Sequence, residues 1–581
     1  EQLLGQPLRK AFHVHRLSFV DGFLHHVRSG NKVLALMLTA AMVLGIAGCG
    51  STETPAGGTD AAAAEESSEA GAAGEAASGE KIVNIGVTDS LGSINPFVID
   101  QTFINKYAVE LEFLQLVDFA EDLSFEYLLA DAITTEDNKN FIVHINEDAV
   151  WSDGTPITSD DVTYSFLRLA SPLVANATLV YGVFEGVDSE TGFVEEGATE
   201  VSGVTAVDEK TVQFTTKEPM SMITFMSSYA AYFHTMPKHI IENIAEGELT
   251  TSDWFNHPDV VSGPYMVTDY DTNHYISYAA NENYWKGAPK IGRMNIKILD
   301  SSQVYSSLQS GEIDVTSHTM TNIPQEDNDS IEALENVDVV YGSPVTNQSV
   351  FIQTKNIPDA RVRQALVYAI DRQKIVDDLL KGHGEVIDGF VSSASPYFDD
   401  GITPISYDPE KAKELLAEAG WDGTQTLRFF VNSGDGTFVN AAQVMAAQWA
   451  QVGIKVEVQT VDLATLMSMA GGTDYDLFAV QYTYSPIDFS VDIAWLLGGD
   501  ESWTGYSNST INDALAKVGT TDDAAGLTDL YSVIDKQTQE DVPMFSAYVI
   551  SALGAVNKRV TNVHANVYGL FNNIQEWDIV E

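Results

Sequence analysis

Residues 262–285 read SGPYMVTDYDTNHYISYAANENYW. Gly263-Pro264 is a turn signal. Beyond it, the runs Tyr265-Met266-Val267 and Tyr275-Ile276-Ser277-Tyr278 flank a polar stretch from Asp269 to His274. Two short aromatic and branched runs around a polar tip predict a β-hairpin. The stretch closes on the bulky Asn283-Tyr284-Trp285.

Outward from the hairpin, strands and helices alternate. Upstream, apolar alternation predicts strands at 81–87 and 141–145 and a strand pair across 204–215. Residues 107–119 predict a helix. Residues 158–169 predict another, with Thr158 or Ser159 as N-cap and Asp160 and Asp161 in its first turn. Downstream come a strand at 294–299 and a short helix at 303–310. The apolar stripe from Val362 to Leu380 then predicts one helix over 360–381, stopped by Gly382. Asp408-Pro409 opens a helix that Gly420 closes, the aspartate as N-cap and the proline in the first turn. A helix at 440–451 and a strand through Ile454, Val456 and Val458 complete the series. The interleaving predicts an α/β chain with mixed sheets.

At 581 residues, and roughly 100–200 residues per domain, several domains are expected. The net charge of -53 excludes nucleic acid and anionic membrane surfaces as electrostatic partners, since phosphates repel a polyanion. Cys49 is the one cysteine, which excludes an intrachain disulfide and a multi-thiolate metal site. Residues 33–45 (VLALMLTAAMVLG) follow Arg28 and Lys32. This apolar run is short for a bilayer span and fits the core of a secretory signal. It leads into Ile46-Ala47-Gly48-Cys49, which resembles a bacterial lipobox and implies cleavage before Cys49 and diacylglyceryl attachment to its thiol. Residues 1–27 match no targeting pattern and read as an over-extended gene start. Their His13, His15, His25 and His26 could hold metal but would leave with the signal. Residues 50–80 are Ala, Glu, Gly and Ser without an apolar face, so they cannot repay their own ordering entropy and read as an acidic tether.

No Gly-rich phosphate loop, GxSxG elbow or HExxH helix occurs. Asp269, Asp271 and Asn273 copy the first ligands of a calcium loop. However, His274 stands where the turn glycine belongs, and Ala280 stands where the closing glutamate belongs. No metal, no cofactor and no catalytic activity are expected.

Several segments together resemble the family 5 extracellular solute-binding proteins. They are Ile94-Asn95-Pro96-Phe97, Trp151-Ser152-Asp153-Gly154-Thr155-Pro156 with Asp160-Asp161-Val162, Ser262-Gly263-Pro264-Tyr265, Asn283-Tyr284-Trp285 and Ser310-Gly311-Glu312-Ile313-Asp314. Further on come Asp359-Ala360-Arg361-Val362-Arg363-Gln364-Ala365-Leu366, Ala369-Ile370-Asp371-Arg372, Asp408-Pro409, Ala419-Gly420-Trp421 and Trp503-Thr504-Gly505-Tyr506-Ser507-Asn508. The resemblance implies a two-lobed periplasmic-binding-protein-like fold (type II) with an extra inserted domain and a hinged cleft that closes on ligand. By analogy, residues 1–48 are extension and signal, and 49–81 the lipidated cysteine and tether. Residues 82–115, 235–317 and 541–581 form lobe I, 116–234 the extra domain, and 318–540 lobe II.

The resemblance also implies a function: a lipoprotein that captures di- or oligopeptides for an ABC importer. It would be anchored through Cys49 on the outer face of the cell membrane (or in the periplasmic space of a Gram-negative cell), as a monomer that meets the permease subunits. Relatives hold an extended peptide by strand addition and receive its ammonium on an aspartate. Carried over by motif order, one ligand strip is Gln101-Thr102-Phe103 and the facing one Gln481-Tyr482-Thr483-Tyr484, with Trp503 beside it. The aspartate expected about two residues after Thr483 falls on Ser485; either a small shift passes the anchoring role to Asp488, or this chain does not use that anchor. That departure leaves two other solutes open, an oligosaccharide and chelated nickel. A cell-surface glycoside hydrolase using two carboxylates is the reading from a different class.

Overall fold

The structure, a computed structural model, describes residues 80–99, 102–175, 181–470, 472–485, 487–499 and 502–580. Cys49, the signal, nearly all of the tether and Gln101 lie outside the described residues.

The hairpin forms as the pattern predicts. Tyr265–Asp271 and Tyr275–Ala280 pair antiparallel, with a bulge between Val267 and Asp269. Its entry explains the Ser-Gly-Pro-Tyr sequence. The Ser262 and Gly263 amides both donate to the Glu112 carbonyl, at 2.9 and 2.8 Å, and the Tyr265 amide donates to Leu111 O at 3.0 Å. The Ser262 hydroxyl accepts the Leu114 amide at 2.9 Å. The Glu112 carboxylate accepts the Val267 amide at 2.8 Å at the bulge. Burial pushes that carboxyl's pKa well above the usual range. The Asn283 amide group donates to Ser152 O at 2.8 Å, so two motifs 131 residues apart in sequence dock on each other.

The hairpin is the edge of a seven-stranded mixed sheet. Its order is Val337–Tyr341, Leu553–Asn557, Val315–Thr316, Ile82–Val87, Arg293–Ile298, Tyr275–Ala280, Tyr265–Asp271. A second, six-stranded sheet runs Gly384–Glu385, Met544–Ile550, Thr346–Ile352, Leu477–Thr483, Thr426–Asn432, Lys455–Val461. Its last three strands pair in parallel and the others antiparallel. An extra domain carries a four-stranded antiparallel sheet, ordered Ala130–Thr135, Asn140–Ile145, Thr211–Thr215, Val204–Asp208. The helix Ser159–Leu169 packs on it, its start fixed by a capping box between Thr158 and Asp161. The fold is α/β and two-bodied, with the extra domain beside the two large sheets.

The chain crosses between the two large sheets twice, at residues 342–345 and 551–552. The crossings touch, since the Gly342 amide donates to Ala552 O at 2.9 Å. The buried His318 ring is wedged where a Cβ on Gly342 or Gly554 would stand, with its Nε2 2.9 Å from Val340 O. These crossings correct the boundaries at 317/318 and 540/541. Val337–Tyr341 is a strand of the first sheet and Met544–Ile550 a strand of the second. Two helix expectations also change. The stripe over 360–381 is two helices, Ala360–Tyr368 and Arg372–Leu379, because the Asp371 side chain caps the second by accepting the Lys374 amide. The helix expected at 107–119 starts earlier, as Phe103–Glu110, and gives way to the strand Val117–Phe119.

Each sheet has its own apolar core. A larger cluster runs from Phe141 and Phe214 of the extra domain to Phe351, Phe478 and Trp503 beneath the second sheet. The extra domain is therefore packed onto the second body as well as inserted in the first. Among the described residues, no helix is long and apolar enough to cross a membrane.

Candidate functional site

The strand Leu477–Thr483 carries the expected strip at its end. Leu477, Phe478, Ala479 and Val480 are buried, whereas Gln481 is exposed and Tyr482 and Thr483 are half-buried. The register places Gln481, Tyr482 and Thr483 opposite Gln348, Asn347 and Thr346. The Thr483 and Thr346 hydroxyls are 3.0 Å apart. Tyr484 turns inward, its hydroxyl 2.9 Å from Ser349 Oγ. Trp503 is buried against Phe351, Phe478 and Trp495. Tyr484 and Trp503 thus serve as core, and Tyr482 keeps open surface.

From the first body, Thr102 is exposed at the N-cap of Phe103–Glu110. Phe103 is half-buried between the rings of Tyr107 and Tyr568, with centroids at 6.1 and 6.0 Å. The Tyr568 hydroxyl comes within 3.5 Å of Tyr484 O. Tyr568 therefore links the two strips.

Asp488 is placed differently from its expected role. It is buried. Its Oδ2 accepts the Thr224 hydroxyl at 2.8 Å. Its Oδ1 accepts the Ser490 amide at 3.0 Å and hydroxyl at 2.5 Å, and Tyr531 OH lies at 3.4 Å. Both oxygens already accept from donors of the protein itself, so Asp488 is held by the protein in this conformation.

The carboxylate that faces the strip is Asp492, in the first turn of Ser490–Leu497. It accepts the Tyr482 hydroxyl at 2.8 Å. Burial pushes its pKa up to about 7; the Tyr482 hydroxyl and the Ser485 amide oppose the rise, while Asp488 adds to it. Among the described residues no ion pair reaches it. Across from it lies a second charged group. Lys106 Nζ sits 2.5 Å from Asp118 and 3.2 Å from Glu110, over the rings of Tyr107 and Tyr232 at 4.9 and 5.8 Å. Burial works against the Lys106 charge, but Asp118 and Glu110 outweigh it and hold it protonated. Burial and Asp118 raise Glu110 to about 7, against the pull of Lys106. Burial and Lys106 together push His234 down to about 3, so it is neutral. The Tyr232 phenol is acted on by Lys106, Asp118, Asp492 and Glu110 together, charges drawn from both bodies. Two carboxyl groups pair with one cation, and among the described residues Asp118 Oδ2 and Gln115 Oε1 are buried acceptors without a hydrogen-bond donor.

Sequence reasoning missed this group, although signals were present. Lys106 and Glu110 are an i,i+4 pair on one short helix. Asp492 is the lone acid in the otherwise apolar SVDIAWLL. Tyr232 and Tyr568 carry no local signal, since both reach the group through the fold. No set of three metal-ligating side chains occurs among the described residues.

A family model described as bacterial extracellular solute-binding proteins, family 5 Middle, matches residues 124–504. A protein of Brucella ovis named for peptide binding in an ABC transporter is 29% identical over 335 residues, 56% of this chain and 59% of that protein. That match therefore spans less than two thirds of the relative. The oligopeptide-binding protein AppA of Bacillus subtilis is 23% identical over 480 residues, 79% of this chain and 84% of that one. Its structure in complex with a nonapeptide superposes with a TM-score of 0.68 at 21% identity, over 86% of this chain and 100% of that chain. NikZ from Campylobacter jejuni, in complex with Ni(L-His), gives a TM-score of 0.69 at 21% identity, over 86% of this chain and 99% of that chain. At such identities the structural likenesses speak for the fold alone.

Proposed function

Because the chain belongs to the bacterial extracellular solute-binding proteins of family 5, we propose that it is the solute-capturing subunit of an ABC importer. It takes a di- or oligopeptide between its two bodies and delivers it to the permease without chemical change. The observation that carries the peptide reading is Asp492. A carboxylate beside an open strand end, held by a tyrosine and lacking a cation, suits a ligand's ammonium. Thr102 and Phe103 on one side and Gln481, Tyr482 and Thr483 on the other supply the strips along which the peptide backbone lies. Trp503 and Tyr484 back the second strip. Two relatives named for peptide binding support the same reading.

On this reading the protein acts outside the cell, tethered through a lipid on Cys49, as a monomer that docks on its permease. Calorimetric titration with a peptide mixture, with oligosaccharides and with nickel–histidine tests it. Heat with peptides alone is expected. Binding of nickel–histidine or a sugar with no peptide response would overturn the peptide reading and keep the family. Native mass spectrometry of the protein purified without denaturation is expected to show co-purified peptide mass.

A further inference from the structure

Among the described residues, four hydrogen bonds join the extra domain to the second body, and none uses the strips proposed for the ligand. The Thr224 hydroxyl donates to Asp488 at 2.8 Å. The Met222 amide and the Asn138 side-chain amide donate to the two oxygens of Asp522, at 2.7 and 2.8 Å. The Ser221 amide donates to Gly519 O at 2.8 Å. Every donor belongs to the extra domain and every acceptor to the second body.

The donors are held ready by their own domain. Asn138 sits at the tip of the turn between Ala130–Thr135 and Asn140–Ile145 with φ 55, a left-handed conformation that asparagine tolerates. Its amide is fixed by Thr135 Oγ1 at 3.0 Å, and Asp137 accepts the next two amides. The Ser221 side chain caps the turn Met222–Phe225 by accepting the Thr224 amide at 3.0 Å. Phe225 stacks on Phe141 at 4.2 Å, which ties that turn to the extra-domain sheet.

We propose that these contacts are a latch that holds the two bodies closed through protein bonds alone, so that Asp488 and Asp522 set ligand affinity as positioning residues and touch no ligand. Opening about the crossings at 342–345 and 551–552 must part all four bonds, since donors and acceptors stand on opposite sides. At Asp522 the cost stays moderate because the carboxylate is exposed and water can replace its partners, while the apolar cluster shared by the extra domain and the second body adds to what opening must part. A closed form populated without ligand raises apparent affinity by the fraction of molecules already closed. The inference rests on the two bodies and their crossings, and not on which solute is taken.

The test is amide hydrogen exchange of residues 219–226 in the ligand-free full-length protein, with small-angle scattering beside it. Slow exchange of this segment is expected in the unsubstituted protein. Asn138→Ala and Thr224→Val are each expected to quicken it about three- to tenfold, the factor that one net hydrogen bond is worth, and Asp522→Ala, which removes two, by more. They should also raise the radius of gyration and leave exchange across residues 265–280 unchanged. Where a ligand is in hand, each variant weakens every ligand by the same factor, because the loss is in closure and not in contact. Exchange of 219–226 at the rate of an open chain in the unsubstituted protein overturns the latch. So does a set of folded variants that leave exchange and radius unchanged, or an affinity loss confined to some ligands.

Discussion

A Cβ on Gly263 would stand 2.3 Å from the carbonyl oxygen of Leu111. The opposing atoms are backbone, held by the three amide bonds that tie residues 262–265 to residues 111–112, so they cannot yield. Gly263→Ala is therefore expected to destabilise the protein by about 3 kcal/mol, at the upper end of overpacking costs. Thr272→Ala at the hairpin tip should stay within about 0.5 kcal/mol. Denaturant unfolding of the two variants side by side checks this. Equal midpoints would show that the entry to the hairpin tolerates a methyl group.

Arg372 and Asp388 form a buried ion pair in the second body. The guanidinium also donates to the carbonyls of Ile387, Ser546 and Ile405 at 2.7–2.9 Å. Asp388 in turn accepts the Ile405 amide and the Gln539 side chain, both at 2.7 Å. Arg372→Met leaves a buried carboxylate without its cation and is expected to cost about 3–5 kcal/mol. Arg372→Lys keeps the charge but cannot reach four acceptors from a single nitrogen, so it should recover only part of that loss. A lysine variant as stable as the parent would mean that charge alone matters at this site.

The hairpin and the α/β alternation were legible because each rests on local pattern: Gly263-Pro264, the alternating strands, and Asp408 capping Pro409–Glu418; the two-bodied fold followed only from the family resemblance that the motifs carry. The crossings were not legible. Nothing in Val337–Tyr341 or Met544–Ile550 says which sheet a strand joins, since both are apolar strands and sheet membership is decided by long-range pairing. The break at Asp371 was hidden because the apolar stripe continues through it, and only the aspartate's cap to Lys374 ends one helix and begins the next. In the site, motif order pointed to the 481–484 strip and to Asp488, and not to Asp492. The contact that holds Asp488 comes from Thr224, 264 residues away in sequence, which no local pattern shows.

Asp535 gives the protein an uncommon pH dependence. Burial raises its pKa to about 7, opposed by the amides of Phe390 and Val391 and reinforced by Asp388 and Asp399. The folded state holds this proton more tightly than the unfolded chain, whose aspartates titrate near about 4. Stability from this group is therefore full below about pH 4 and falls as pH rises toward about 7, by no more than about 4 kcal/mol. Asp535→Asn keeps an acceptor for the Phe390 amide and removes the titration. The variant should flatten the fall in unfolding free energy between about pH 4 and 7. A profile identical to the parent's would place that dependence elsewhere.

Asp492 should make ligand capture proton-linked. In the free protein burial keeps it neutral below about pH 7, with the Tyr482 hydroxyl as its main stabilising donor. A ligand ammonium needs it ionised, so binding below that pH expels a proton and affinity climbs by up to about tenfold per pH unit toward about 7. Tyr482→Phe removes the donor, raises the carboxyl further and moves the climb to higher pH. Asp492→Asn abolishes the climb and lowers affinity for peptides with a free amino terminus, while N-acetylated peptides, which carry no ammonium, should bind the variant and the parent alike. Calorimetry in buffers of different ionisation enthalpy reads the released proton directly. A binding heat independent of buffer at pH 6, together with an unchanged profile in Asp492→Asn, would assign the ligand's charge to another carboxylate of the group around Lys106.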